Sequence, residues 1–186
     1  MAWRTARSAA VCSPSEPAFW AQMFFWFIGT VVVAVWFVFR DPRFDYRLLV
    51  VGAVLPAVVD AFLGGARVMH SITLSVVLLV VLMVVTPGRK PTRKMLLGLP
   101  VGTLLHLVVT GAWTNTTVFW WPFGGLSFDG ARHPVAVRGW WNLPLELVGI
   151  GLCWWIVRRA ELRDPERRAW FARTGQLALP VQSGEL

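Results

Sequence analysis

Asp60, His70, His106 and Glu146 are the side chains of this sequence whose types could do chemistry, with Arg67 close by. They stand in a chain that is 56% hydrophobic and 15% charged, with a mean hydropathy of +0.57. An ionised side chain at the centre of a bilayer helix costs about 2.5–3.5 kcal/mol on insertion scales, so each of these residues requires a partner or a function. Carboxylate and imidazole together are the ligand set of Zn²⁺, Mn²⁺ or Fe. Such an ion polarises a phosphoryl or carbonyl oxygen and activates water. Arg67 suits bidentate capture of an anionic head group. No two of these residues form a close i, i+4 ligand pair, and each also has a structural reading. Asp60 can pair with Arg67 across Gly64-Gly65, His106 can serve as a hydrogen-bonded packing residue, and Glu146 can accept from the Trp140 or Trp141 indole.

The elements that must position them read as an all-α integral membrane protein. About five transmembrane helices form one bundle, with a Trp-rich outer loop and a basic, amphipathic C-terminal tail. Apolar runs of the length that crosses a hydrocarbon core recur along the chain. The expected spans are Phe19–Phe39, Leu48–Leu63, His70–Thr86, Met95–Ala112 and Leu143–Val157. Their stops are Arg40-Asp41-Pro42-Arg43, Gly64-Gly65, Pro87-Gly88 and Arg158-Arg159. Pro56 and Pro100 each lie a few residues ahead of a site candidate, where a kink can open room for water or a head group. Residues 113–141 hold Trp113, Trp120, Trp121, Phe123, Phe128, Trp140 and Trp141, a composition suited to the head-group level. The expected organisation is an outer N-terminal segment over 1–18, a bundle over 19–157 and a cytoplasmic basic tail over 158–186.

The net charge of +8 sets orientation rather than a nucleic-acid partner, because the cations sit in short loops and the tail. Arg40, Arg43 and Arg47, the Arg89–Lys94 loop and the tail arginines outnumber Arg4, Arg7, Arg67, Arg132 and Arg138 more than twofold. The larger set is cytoplasmic under the positive-inside rule, which puts the N-terminus outside a bacterial-type inner membrane. Met1–Pro17 has no apolar run ahead of Cys12 and reads as neither signal peptide nor lipoprotein site. Cys12 and Cys153 fall near opposite faces and form no metal motif. Trp170, Phe171 and Leu177 among arginines read as an amphipathic segment on the anionic leaflet or as a solvated helix. With this topology Asp60, His70, His106 and Glu146, from four different spans, share a slab about 10 Å deep under the outer surface.

Four segments in order then carry a resemblance: Gly52 through Pro56 to Asp60, Arg67 through His70-Ser71, His106 through Thr110, and Trp121-Pro122-Phe123. This resembles the YdjM-like family of inner-membrane metal-dependent hydrolases over residues 50–123. The resemblance implies a divalent metal (Zn, Mn or Fe), catalytic Asp60, His70 and His106, and Ser71 beside the site. The family's carboxylates after the proline and at the close of His-x-x-x-Asp are Ala57 and Thr110 here. Either the site is degenerate and holds no cofactor, or Glu146 joins Asp60, His70 and His106 as a metal ligand. The function implied is a hydrolase-like, outward-facing polar pocket in which Arg67 and Ser71 bind an anionic lipid head group or lipid-linked phosphate. The alternative is a non-catalytic accessory subunit, with membrane lipids and a membrane protein or a second copy of the chain as partners.

Overall fold

The computed structural model describes residues 23–39, 41, 44–62, 68–126 and 139–177, whose regular structure is helical with no strand among them. The main helices are α1 (Phe24–Phe39), α2 (Tyr46–Phe62), α3 (Ile72–Val85), α4 (Lys90–Leu96) and α5 (Gly98–Thr110). They continue as the short α6 (Thr116–Phe119), α7 (Asn142–Arg159) and α8 (Pro165–Thr174). One-turn 3₁₀ segments at Val68–His70, Ala112–Thr114 and Gly139–Trp141 make the corners. The expected starts of the first span, residues 1–22, Arg67 and residues 127–138 lie outside the described residues.

The all-helical expectation holds, and one of the five expected spans is matched by a helix that can cross a membrane by itself. Among the described residues one helical run, Lys90–Thr110, is long and apolar enough by itself to cross a membrane. It spans 21 residues and is divided at Leu97 between α4 and α5. α1 and α3 are apolar but only 16 and 14 residues long. α2 carries Arg47 and Asp60, and α7 carries Glu146, Arg158 and Arg159, which dilute their apolar windows.

Two parallel helix pairs form the framework. α2 and α5 run side by side in one direction, with Gly98 against Asp45 and Leu49, Gly102 against Leu49 and Ala53, and His106 on Ala53. A Cβ on Gly102 would lie 2.3 Å from the Leu49 carbonyl oxygen. The small residue is what lets the backbones approach, as in membrane helix pairs generally. α1 and α7 form the second pair, running opposite to the first, where a Cβ on Gly149 would stand 2.3 Å from the Trp26 nitrogen. The buried core lies between the pairs: Val31, Val32, Val35, Phe44, Tyr46, Leu49, Ala53 and Ile156.

One end gathers charge. Lys94 pairs with Asp41. Asp45, 1% exposed, accepts from the amides of Arg47 and Leu48 and so caps the first turn of α2. Arg47 pairs with Asp45 at 3.0 Å and donates to the Ala172 carbonyl at 2.7 Å, while the Tyr46 amide donates to the Gly175 carbonyl. These contacts clasp α8 to the start of α2 and seat Leu177 in the core. The tail therefore spends apolar side chains on the bundle rather than offering them as a free amphipathic face.

Candidate functional site

Three local devices bring the polar cluster together at the opposite end. Asp60 lies in the last turn of α2. His70 closes the 3₁₀ turn that precedes α3. His106 lies on the α5 face that repeats as Gly98, Gly102, His106 and Thr110, four residues apart, which is one helix face. Asp60, His70 and His106 are all within 1% of complete burial. A buried polar group stays only if its hydrogen bonds are satisfied.

The bonds are specific. His70 Nδ1 lies 2.6 Å from Asp60 Oδ2. His106 Nδ1 lies 2.6 Å from the Ala53 carbonyl oxygen. His70 Nε2 and His106 Nε2 face each other at 3.4 Å. A carbonyl only accepts, so His106 Nδ1 carries the proton; a carboxylate does the same for His70 Nδ1. In the neutral rings both Nε2 atoms are then lone pairs aimed into one small space. Two lone pairs face each other stably only around a cation, either a proton or a metal ion.

The separation of 3.4 Å is within reach of a long N–H···N bond and of a shared metal ion. N–H donors usually stand 2.7–3.2 Å from their acceptors, shorter than the 3.4 Å seen between the two nitrogens. Two imidazole nitrogens bound at about 2.0–2.1 Å to one tetrahedral ion stand roughly 3.3–3.4 Å apart, with ring centres about 5 Å apart. The ring centroids of His70 and His106 are 5.2 Å apart and the planes cross at 74°. Each Nδ1–H is also anchored to an oxygen acceptor, the outer-shell arrangement of metal-bound histidines. The two nitrogens thus fit a divalent ion. Two is also their limit: among the described residues no group of three or more His, Cys, Asp or Glu is placed to hold a metal.

The positions where the resemblance expects carboxylates are filled otherwise. The α2–α5 register sets Ala57 level with Thr110, one turn beyond Ala53 and His106. Ala57 packs against Met23 and Phe27 of the α1 end. Phe27 also covers His106, ring centroids 4.6 Å apart. The Thr110 hydroxyl donates to the His106 carbonyl at 2.7 Å, a bond within its own helix.

Glu146 is engaged by the backbone at the start of α1. Its carboxylate accepts from the Phe25 amide at 3.1 Å and the Trp26 amide at 3.0 Å. It caps α1 from α7, since the orphan amides and positive end of a helix bind a carboxylate; the residue expected among the metal ligands holds this cap. Ser71 is likewise engaged locally. Its hydroxyl donates to the Val68 carbonyl at 2.8 Å and accepts from the Leu74 amide at 3.3 Å, so the residue expected beside an anion is the N-cap of α3. Arg67, with its expected roles toward Asp60 and an anionic head group, lies outside the described residues.

Sequence reasoning missed the Ala53 carbonyl and the Met23–Phe27 wall. A backbone acceptor leaves no side-chain signature. The glycines one and two turns before His106 were the available sign of close backbone approach on that face. Comparison with known proteins adds no identity, since no family model, no curated protein and no solved structure matches the chain.

Proposed function

We propose that this chain is a multi-pass membrane protein that holds a divalent metal ion between His70 and His106 in its outer half. The site would serve hydrolysis of an anionic lipid head group or lipid-linked phosphate. The observation that carries this reading is the apposition of two buried Nε2 lone pairs at 3.4 Å, each ring anchored through Nδ1. When bound, the ion supplies a Lewis acid and an activated water. The chain's own residues do the rest. Asp60 Oδ2 keeps the proton on His70 Nδ1, the Ala53 carbonyl keeps it on His106 Nδ1, and Phe27 shields the α1 side from water. With two protein nitrogens present, the remaining coordination positions fall to water or substrate oxygens.

The membrane setting is supported by what the bundle leaves uncovered. α3 is apolar all round with Ser75 as its single buried residue, and Val76, Val77, Val80, Val81, Val84 and Val85 are exposed. Exposed apolar surface of this extent requires a nonaqueous neighbour. α7 exposes Leu143, Leu147, Val148, Ile150 and Val157 between Trp140 and Trp141 at one end and Arg158 and Arg159 at the other. Its 18 residues span about 27 Å, close to a hydrocarbon core. The meeting of Lys94 with Asp41 and of Arg47 with Ala172 at one end supports the cytoplasmic assignment of those segments.

A second reading, a non-catalytic accessory subunit whose polar cluster is internal glue, is favoured by the short ligand set and by the burial of all three residues. Turnover separates them. Zinc-loaded protein in mixed micelles should release head group or phosphate from phosphatidylglycerol or a polyprenyl diphosphate, and His106→Ala should abolish this. Bound metal with no turnover of either substrate would reject the hydrolase reading and leave the accessory one.

A further inference from the structure

We propose that the charged end of the bundle is a docking surface for the acidic head groups of a phospholipid leaflet, gripped by Arg158, Arg159, Arg163 and Arg168. The inference rests on the membrane reading above but is independent of the histidine pair. It begins from what α8 has already used. Leu162 and Phe171 pack on the core, and Ala160 and Leu177 are buried in it. The Arg47 bond to Ala172 and the Tyr46 bond to Gly175 fix the far end of α8 in place. Little apolar surface is left for insertion, so contact with a leaflet must be made by charge.

The charge is available. Asp41, Asp45 and Glu161 pair with Lys94, Arg47 and Arg167. Asp164 accepts from the amides of Glu166 and Arg167 as the N-cap of α8. Arg158, Arg159, Arg163 and Arg168 are exposed, and among the described residues none has a carboxylate within ion-pair distance. One further contact sets their depth. The Arg158 guanidinium lies 4.4 Å over the Trp154 ring. That ring is 52% exposed, on the same helix as the uncovered Leu147, Val148 and Ile150. An indole at the edge of an apolar surface with a cation stacked on it is an arrangement suited to the head-group level. A polyanion such as RNA would meet the same arginines, but it leaves the uncovered Leu147, Val148 and Ile150 of that helix in water, where a leaflet covers them. Arginine matches phosphate oxygens bidentately, which makes the phosphodiester of an acidic phospholipid the fitting ligand.

The test uses the full chain purified in neutral detergent, with retained phosphatidylglycerol and phosphatidylcholine measured by native mass spectrometry. Phosphatidylglycerol should be retained in preference, and the preference should fade at high salt because exposed charges are screened. Each arginine changed to Gln should weaken retention about fivefold. Arg158→Gln, Arg159→Gln, Arg163→Gln and Arg168→Gln together should erase the preference, whereas Lys at the same positions should keep most of it. If the fourfold variant does not fold, the exposed pair Arg163→Gln with Arg168→Gln gives the same reading. Equal retention of the two lipids by the wild type, or undiminished preference in the Gln variants, overturns the proposal. So does tighter binding of an RNA oligonucleotide in the same buffer. Loss of metal binding with lipid preference intact would count against the histidine reading alone.

Discussion

The proposed chemistry turns on which nitrogen of each histidine is committed. His70 and His106 spend Nδ1 on Asp60 and on the Ala53 carbonyl, so Nε2 is what each offers. Asp60 is then a positioning residue for His70. Asp60→Asn should weaken zinc affinity by about 10–100-fold, the usual cost of losing an outer-shell partner. Competition titration of the purified protein against a chelating dye reads this directly, and unchanged affinity would contradict the assignment. The level placement of Ala57 and Thr110 gives a second test. Ala57→Asp with Thr110→Asp should tighten metal binding while lowering thermal stability in metal-free buffer. A carboxylate beside Met23 and Phe27 is desolvated unless a cation neutralises it. The sequence made Asp60, His70 and His106 legible as one group because they are costly side chains at a common depth. It could not reveal the geometry among them, since the chain reaches each from a different helix or turn.

Helices meet here through glycine and through caps supplied from elsewhere in the chain. Glu146 shows why its role was not legible. It lies 120 residues from the Trp26 amide it binds, and a cap delivered from another helix leaves none of the local spacing of an ordinary N-cap. Glu146→Ala should destabilise the protein by about 0.5–2 kcal/mol through the exposed amides of α1, seen as a lower melting midpoint. The same variant should retain the metal content of the wild type; loss of metal would return Glu146 to the site. At the other pair, Gly102→Leu should part α2 from α5. The Ala53 acceptor would then be withdrawn from His106, so stability and metal content should fall together. Ser71 and Asp164 cap α3 and α8 locally, and α3 falls within the expected span His70–Thr86. The fourth expected span, Met95–Ala112, falls almost wholly within the apolar run Lys90–Thr110, which starts five residues earlier and is divided at Leu97.

Across the whole molecule, the ends differ in kind. Among the described residues one end carries the exposed arginines and lysines. The other exposes Trp113, Trp120, Phe123, Trp140 and Trp141 around the buried cluster. The charge count along the sequence puts Arg47, the Arg89–Lys94 loop and the tail in one set, and in the fold Lys94 meets Asp41 and Arg47 meets α8. The count did not anticipate the docking of α8, which depends on Ala172 and Gly175 meeting Arg47 and Tyr46 across the fold. Single cysteines placed in the Arg89–Lys94 turn should be labelled by an impermeant thiol reagent only from the cytoplasmic side of inverted vesicles. Labelling in intact cells would overturn the orientation. The central claim is that His70 and His106 share a metal ion, and elemental analysis of the purified protein tests it most directly. The account predicts about one divalent ion per chain, removed by His106→Ala and by chelation with a fall in thermal midpoint. A metal-free wild type whose stability is unchanged by chelator or added zinc would contradict it.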